Sequence, residues 1–196
     1  MKKAAAAAAV LGAIAAGIAL VTYAGPRGEP AASARDYPLE VGLRWTYRGA
    51  GNVAVVRRIE RAVEIDGRRY FEMTFVLPIL GRRAIPMRHA PEGVVTVQEG
   101  RERLLVRLPL KTGDRWTVDL PSEKEVAECA VLGEEEIEFA GRKGAAMKVE
   151  VRRRKRDAEP VAIDHEWYAP GVGLVRMEVT HGIRATFVLE SFERSK

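Results

Sequence analysis

Pro38-Leu39-Glu40-Val41-Gly42-Leu43-Arg44-Trp45-Thr46 returns as Pro109-Leu110-Lys111-Thr112-Gly113-Asp114-Arg115-Trp116-Thr117, with six of nine positions identical at an offset of 71. Val63-Glu64-Ile65-Asp66-Gly67-Arg68-Arg69 answers to Ile137-Glu138-Phe139-Ala140-Gly141-Arg142-Lys143, and Met73-Thr74-Phe75 to Met147-Lys148-Val149, both at offset 74. Ala90-Pro91-Glu92-Gly93-Val94-Val95 resembles Ala169-Pro170-Gly171-Val172-Gly173-Leu174-Val175 at offset 79, with one insertion. The matches keep their order and drift only by short insertions. They read as an internal repeat of one supersecondary unit.

Each copy reads as strands. Leu43, Trp45 and Tyr47 alternate with Arg44, Thr46 and Arg48, the period of a half-buried strand. Val63 and Ile65 alternate with charge up to Asp66-Gly67, a dipeptide suited to a type I′ hairpin because both turn positions need positive φ. Phe71, Met73, Phe75 and Leu77 then face inward, as do Ala145, Met147, Val149 and Val151 in the second copy. The Ala-Pro-x-Gly stretches join further strands, with proline fixing φ and glycine freeing it. Residues 123–138 are rich in Glu, Ala, Val and Leu and alone would pass for a helix. Their counterpart in the first copy is β-branched, so the repeat predicts a strand. About six strands per copy give about twelve in all, which must curve, close or divide into two sheets.

The expected fold is therefore all-β. It is a curved antiparallel sheet, a half-barrel or clamshell with an apolar concave face, with a two-sheet sandwich as second choice. Residues 37–196 form a single domain with repeats at about residues 37–108 and 109–194. Trp45 and Trp116, at equivalent positions, are expected to be core anchors rather than ligand-stacking rings.

Outward from the repeat, residues 1–24 carry Lys2 and Lys3 before an uncharged, alanine-rich run over residues 4–21, then small residues. That is the layout of a secretory signal cleaved after Ala24, or of an uncleaved membrane anchor. No cysteine ends the run, which excludes lipid attachment of the bacterial lipoprotein kind. Residues 25–36 read as a flexible linker. The expected location is the periplasm or cell envelope.

The 196 residues suit one domain plus a leader, and 47% hydrophobic with 30% charged residues indicates a cored domain. Removing the leader lysines from the formal +5 leaves 30 basic against 27 acidic residues, too small an excess to argue for nucleic acid. The single cysteine, Cys129, allows no intramolecular disulfide and reads as a buried thiol.

No catalytic, cofactor-binding or metal-ligating motif stands out. Asp164-His165-Glu166 is the densest polar cluster. On a strand, however, Asp164 and Glu166 share one face and His165 the other, so they are expected to be solvated at the surface rather than to converge on a site. His89 and His181 are solitary, and the glycines sit singly at turns rather than in a phosphate loop. Arg152-Arg153-Arg154-Lys155-Arg156 could touch anionic lipid or polymer, but reads better as a solubilising strand end.

The "PLxxGxRW" starts and the Glu166-Trp167-Tyr168-Ala169-Pro170-Gly171-Val172-Gly173 close resemble a family of exported bacterial β-rich domains known as TapB-like. The similarity covers most of residues 37–194. It implies an architecture similar in kind to the lipoprotein-carrier clamshells, although clear lid helices are lacking. It implies no catalytic residues. Two functions are expected from this reading. One is a non-enzymatic binding module holding an apolar or amphipathic envelope molecule, such as lipid, in a concave β face. The alternative is a structural or assembly factor binding another envelope protein through a sheet edge.

Overall fold

The computed structural model of the chain describes residues 32–77, 81–119, 125–155, 160–180 and 184–194. The leader, most of the expected linker, His181 and Arg156 lie outside the described residues. A single helical turn, α1 (Ala32–Asp36), precedes twelve strands, with a short 3₁₀ turn at Ala50–Asn52. The first six strands are β1 (Leu43–Gly49), β2 (Ala54–Ile65), β3 (Arg68–Leu77), β4 (Gly81–Ala90), β5 (Gly93–Gln98) and β6 (Arg101–Arg107). The second six are β7 (Arg115–Asp119), β8 (Glu125–Phe139), β9 (Arg142–Lys155), β10 (Pro160–Ala169), β11 (Gly173–Val179) and β12 (Ala185–Arg194). Residues 32–36 thus belong to a helical turn and not to a structureless linker.

All twelve strands make one antiparallel sheet in the order β6-β5-β4-β3-β2-β1-β12-β11-β10-β9-β8-β7. Each half is a six-strand meander, and the two halves join through β1 and β12, where Leu43 faces Arg194 and Trp45 faces Phe192. The sheet curls until its outer strands meet as a nearly closed barrel. Across that seam the Trp116 indole N–H donates to the Leu105 carbonyl at 3.2 Å, and Arg103 pairs with Asp119. Side chains, not a backbone ladder, close the seam.

The curvature has a local cause. Register shifts interrupt several ladders, and a bulge bends and twists the strand that carries it. Corresponding hairpins bulge at corresponding places: β2–β3 slips at Glu60, β8–β9 at Leu132. The hairpin tips match too. Asp66 and Gly67 take φ of 50° and 70°, and Ala140 and Gly141 take 49° and 70°. Residues 125–139 are strand, as the repeat requires and composition alone would not.

Leu43, Trp45, Tyr47, Val55, Ile59 and Met73 of the first half and Val118, Cys129, Val149, Val151 and Leu189 of the second belong to one buried core. Trp45 is 2% exposed and Trp116 8%. The period-2 reading fails at Ala145, which is exposed while Ala146 is buried. There the long β8–β9 hairpin leaves the simple barrel wall. Its tip reaches β12, where the Ala140 amide donates to the Leu189 carbonyl at 2.7 Å, and Phe139 is buried.

Candidate functional site

Because the strands alternate in direction, the connections alternate between the two barrel ends. One end gathers the 66–67, 91–92, 140–141 and 170–172 turns, the 108–114 link between the halves, and both the entry to β1 and the exit from β12. This end also holds a cavity of about 210 Å³, lined by Leu108, Pro109, Leu110, Met147, Ala169 and Pro170, with Asp36, Glu134 and Tyr168 as its polar members. Burial raises the Asp36 carboxyl above its ordinary value.

The segment before β1 works as a strap over this mouth. Tyr37 and Leu39 are buried, and the Tyr37 ring stands 6.3 Å from that of Tyr168. Gly173 is required beneath it: φ is +81°, and a Cβ there would sit 3.0 Å from the Tyr37 ring. Trp45 and Tyr47 fasten the same turn from inside. Trp45 Nε1 donates to the Val172 carbonyl at 2.8 Å, and the Tyr47 hydroxyl donates to that of Leu174 at 2.9 Å. Both carbonyls lie beyond the β11–β12 ladder, which stops at Arg176 and Val188, so side chains satisfy what a strand would otherwise pair.

The barrel interior is less apolar than alternation suggested. Arg57 lies directly across from Trp45 and Phe75, on the inward face. Its guanidinium carbon stands 5.3 Å from the Tyr47 ring centre and 4.9 Å from that of Phe75, and Nη2 approaches Met177 Sδ at 3.9 Å. Nε is buried without a hydrogen-bond partner, and no carboxylate among the described residues lies within ion-pair distance of Arg57. Desolvation opposes its charge. The fields of Tyr47, Tyr37 and Glu166 outweigh that, and its pKa lies above the ordinary arginine value.

Asp164 and Glu166 do not lie at the solvent surface, contrary to expectation. They face inward beside Val151 and Val149. Asp164 is 3% exposed; it accepts Arg153 Nε at 2.8 Å and the Thr180 amide at 2.7 Å. A buried carboxylate is tolerable when it is so paired. Glu166 accepts the Tyr168 hydroxyl at 2.5 Å. Burial, with the field and hydrogen bond of Glu166, drives that phenol well above its ordinary value. His165 is on the opposite face, against Trp167. Burial pushes the Cys129 thiol up to about 12, with the Glu166 field adding to it. His89 is inward and half-buried, its Nδ1 unpartnered, and burial lowers its pKa.

The arginine run divides between faces. Arg152 pairs with Glu150 and Arg154 with Glu128 outside, while Arg153 turns in to Asp164. Among the described residues no group of three His, Cys, Asp or Glu side chains converges to hold a metal ion.

Arg57 is the residue that sequence reading passed over. The signal was available, since the alternation that sends Val55 and Ile59 inward sends Arg57 with them. The repeat sharpens it. Trp45 faces Arg57 in the first half, and Trp116 faces Cys129 in the second, so Cys129 is its positional counterpart.

No family model and no curated protein match the chain. Solved structures do. A candidate exported protein with YmcC-like fold from Bacteroides fragilis aligns with a TM-score of 0.51 at 15% identity, over 81% of this chain and 99% of that one. A candidate lipoprotein from Parabacteroides distasonis aligns at 0.45 and 14%, over 80% and 97%. The hypothetical lipoprotein YmcC from Escherichia coli aligns at 0.39 and 11%, over 76% and 83%. At such identities the likeness to the Bacteroides fragilis protein speaks for the fold.

Proposed function

We propose that this chain is a non-enzymatic binding module of the cell envelope, of the TapB-like exported kind, that takes an apolar or amphipathic molecule at the barrel mouth. The mouth cavity carries the reading: about 210 Å³ with six apolar residues among its nine lining members. That is below the ~300–1,000 Å³ of drug-sized sites, which fits one short chain or the end of a longer one. The cavity lies at the mouth, so the ligand is placed there and not along the whole concave face.

The test is a titration of the full chain with the fluorescent apolar probe N-phenyl-1-naphthylamine, beside the cavity-filling variant Leu110→Trp. Wild type should show saturable enhancement, and the variant should lose most of it while melting at a similar temperature. Equal enhancement in both would place probe binding elsewhere and overturn the mouth as the site.

The assembly-factor reading keeps one observation of its own. β7 pairs with β8 only from Val126 to Ala130, and beyond it Leu132 is 48% exposed. Exposed Glu134, Glu135 and Glu136 on this same stretch blunt it as an edge for another strand.

A further inference from the structure

Resting on the mouth-cavity reading, we propose that Arg57 anchors the anionic head of the ligand, so that the ligand is a single-chain amphiphile ending in a carboxylate or phosphate. Three observations support this. First, Arg57 has spare donors where charge is expensive. A guanidinium offers five N–H groups, and here Nε has no partner, Nη2 approaches a sulfur, the Tyr37 hydroxyl is the one oxygen partner, and no ion pair with a carboxylate forms among the described residues.

Second, the fold does not need the charge. The corresponding position of the second half holds Cys129, 6% exposed, and the second half closes around it. An apolar side chain of similar volume in place of a buried charge is usually neutral or stabilising.

Third, Arg57 does not itself line the cavity but is linked to its lining through Tyr168. Tyr168 lines the cavity and lies within electrostatic reach of Arg57, while Tyr37 of the strap contacts both Arg57 and the Tyr168 ring. An anion entering from the mouth meets Tyr37 first and takes its place on the guanidinium, whose planar fork matches a carboxylate or phosphate. Glu166 is the opposing element. Its field reaches Arg57, so it weakens the attraction for a second anion and sets a ceiling on affinity.

The experiment compares octanoate, octyl phosphate, octanol and octylammonium as competitors of N-phenyl-1-naphthylamine on the full chain. Octanoate or octyl phosphate should displace the probe at least tenfold more effectively than octanol, and whichever leads identifies the head group. Octylammonium should be weakest. Arg57→Met should remove the preference for anions without abolishing octanol binding, and Glu166→Gln should strengthen it. Equal displacement by all four in wild type overturns the role of Arg57 and leaves the cavity reading standing. Displacement by none overturns both. The wild-type comparison needs no variant to fold.

Discussion

Trp45 joins two functions in one side chain. It fills the barrel between β1 and β12, stacking on Phe192 at 5.2 Å, and it satisfies the Val172 carbonyl that no strand reaches. Trp45→Ala should therefore cost roughly 3–5 kcal/mol for the cavity, plus about 1 kcal/mol for the lost hydrogen bond. Trp116→Ala should cost somewhat less, because its ring is more exposed and its bond longer. Denaturant unfolding followed by circular dichroism measures both. Should the two variants unfold with wild type, the rings are not core. Cys129 gives a second check: a thiol raised to about 12 by burial should ignore Ellman's reagent at pH 8 in the folded protein and react once unfolded. His89 adds a pH term. Burial depresses its folded pKa below the ordinary 6.5, so the stability tied to its neutral form is complete above about 6.5. That stability is lost as pH falls through 6.5 towards the folded value. Between pH 7.5 and 5.5 wild type should lose more melting temperature than His89→Gln, and parallel curves would show that His89 does not titrate differentially.

At the scale of strands and turns, most of the design was legible. The Asp66-Gly67 tip, the inward set around Leu43 and Met73, and strand β8 all follow from period and repeat, since a two-residue step and a positive-φ turn are local properties. The second hairpin tip is less well served by its sequence, because Ala140 adopts φ 49° where aspartate stands in the first. Ala140→Asn should raise stability by about 1 kcal/mol, because asparagine tolerates the left-handed region that costs alanine about that much. A lower melting temperature would mean that the methyl group's packing at the tip matters more than its backbone strain. Ala145 shows where locality ends. Its face was read from alternation, but whether that face is covered depends on a tip that lands on β12, which no neighbouring residue announces.

For the whole molecule, the seam between β6 and β7 is the weakest boundary, held by Trp116, Leu105, Arg103 and Asp119 without a ladder. Hydrogen exchange should reveal it: amides of β6 and β7 that face the seam should exchange faster than those of β1 and β12, which are paired on both sides. Equal protection would mean that the seam is laddered in solution. The candidate site was legible only in part, for the same reason that the seam was not. Alternation can send Arg57, Glu166 and Tyr168 inward, yet only the curl of the sheet across β1, β12 and β11 brings β2 and β10 within reach of each other, and that curl depends on accumulated twist and bulges rather than on any motif.

The order of the strands carries one more consequence. The ends of the domain lie side by side at β1 and β12, while the 108–114 link crosses the seam. Opening that link and joining residue 194 to residue 32 would give a circular permutant running β7 to β12 and then β1 to β6. In that chain every strand would lie next to its successor, a plain up-and-down progression with its first and last members at the closure. The natural chain is the same cylinder entered from the middle, and the permutant should still fold, with its new ends beside the mouth.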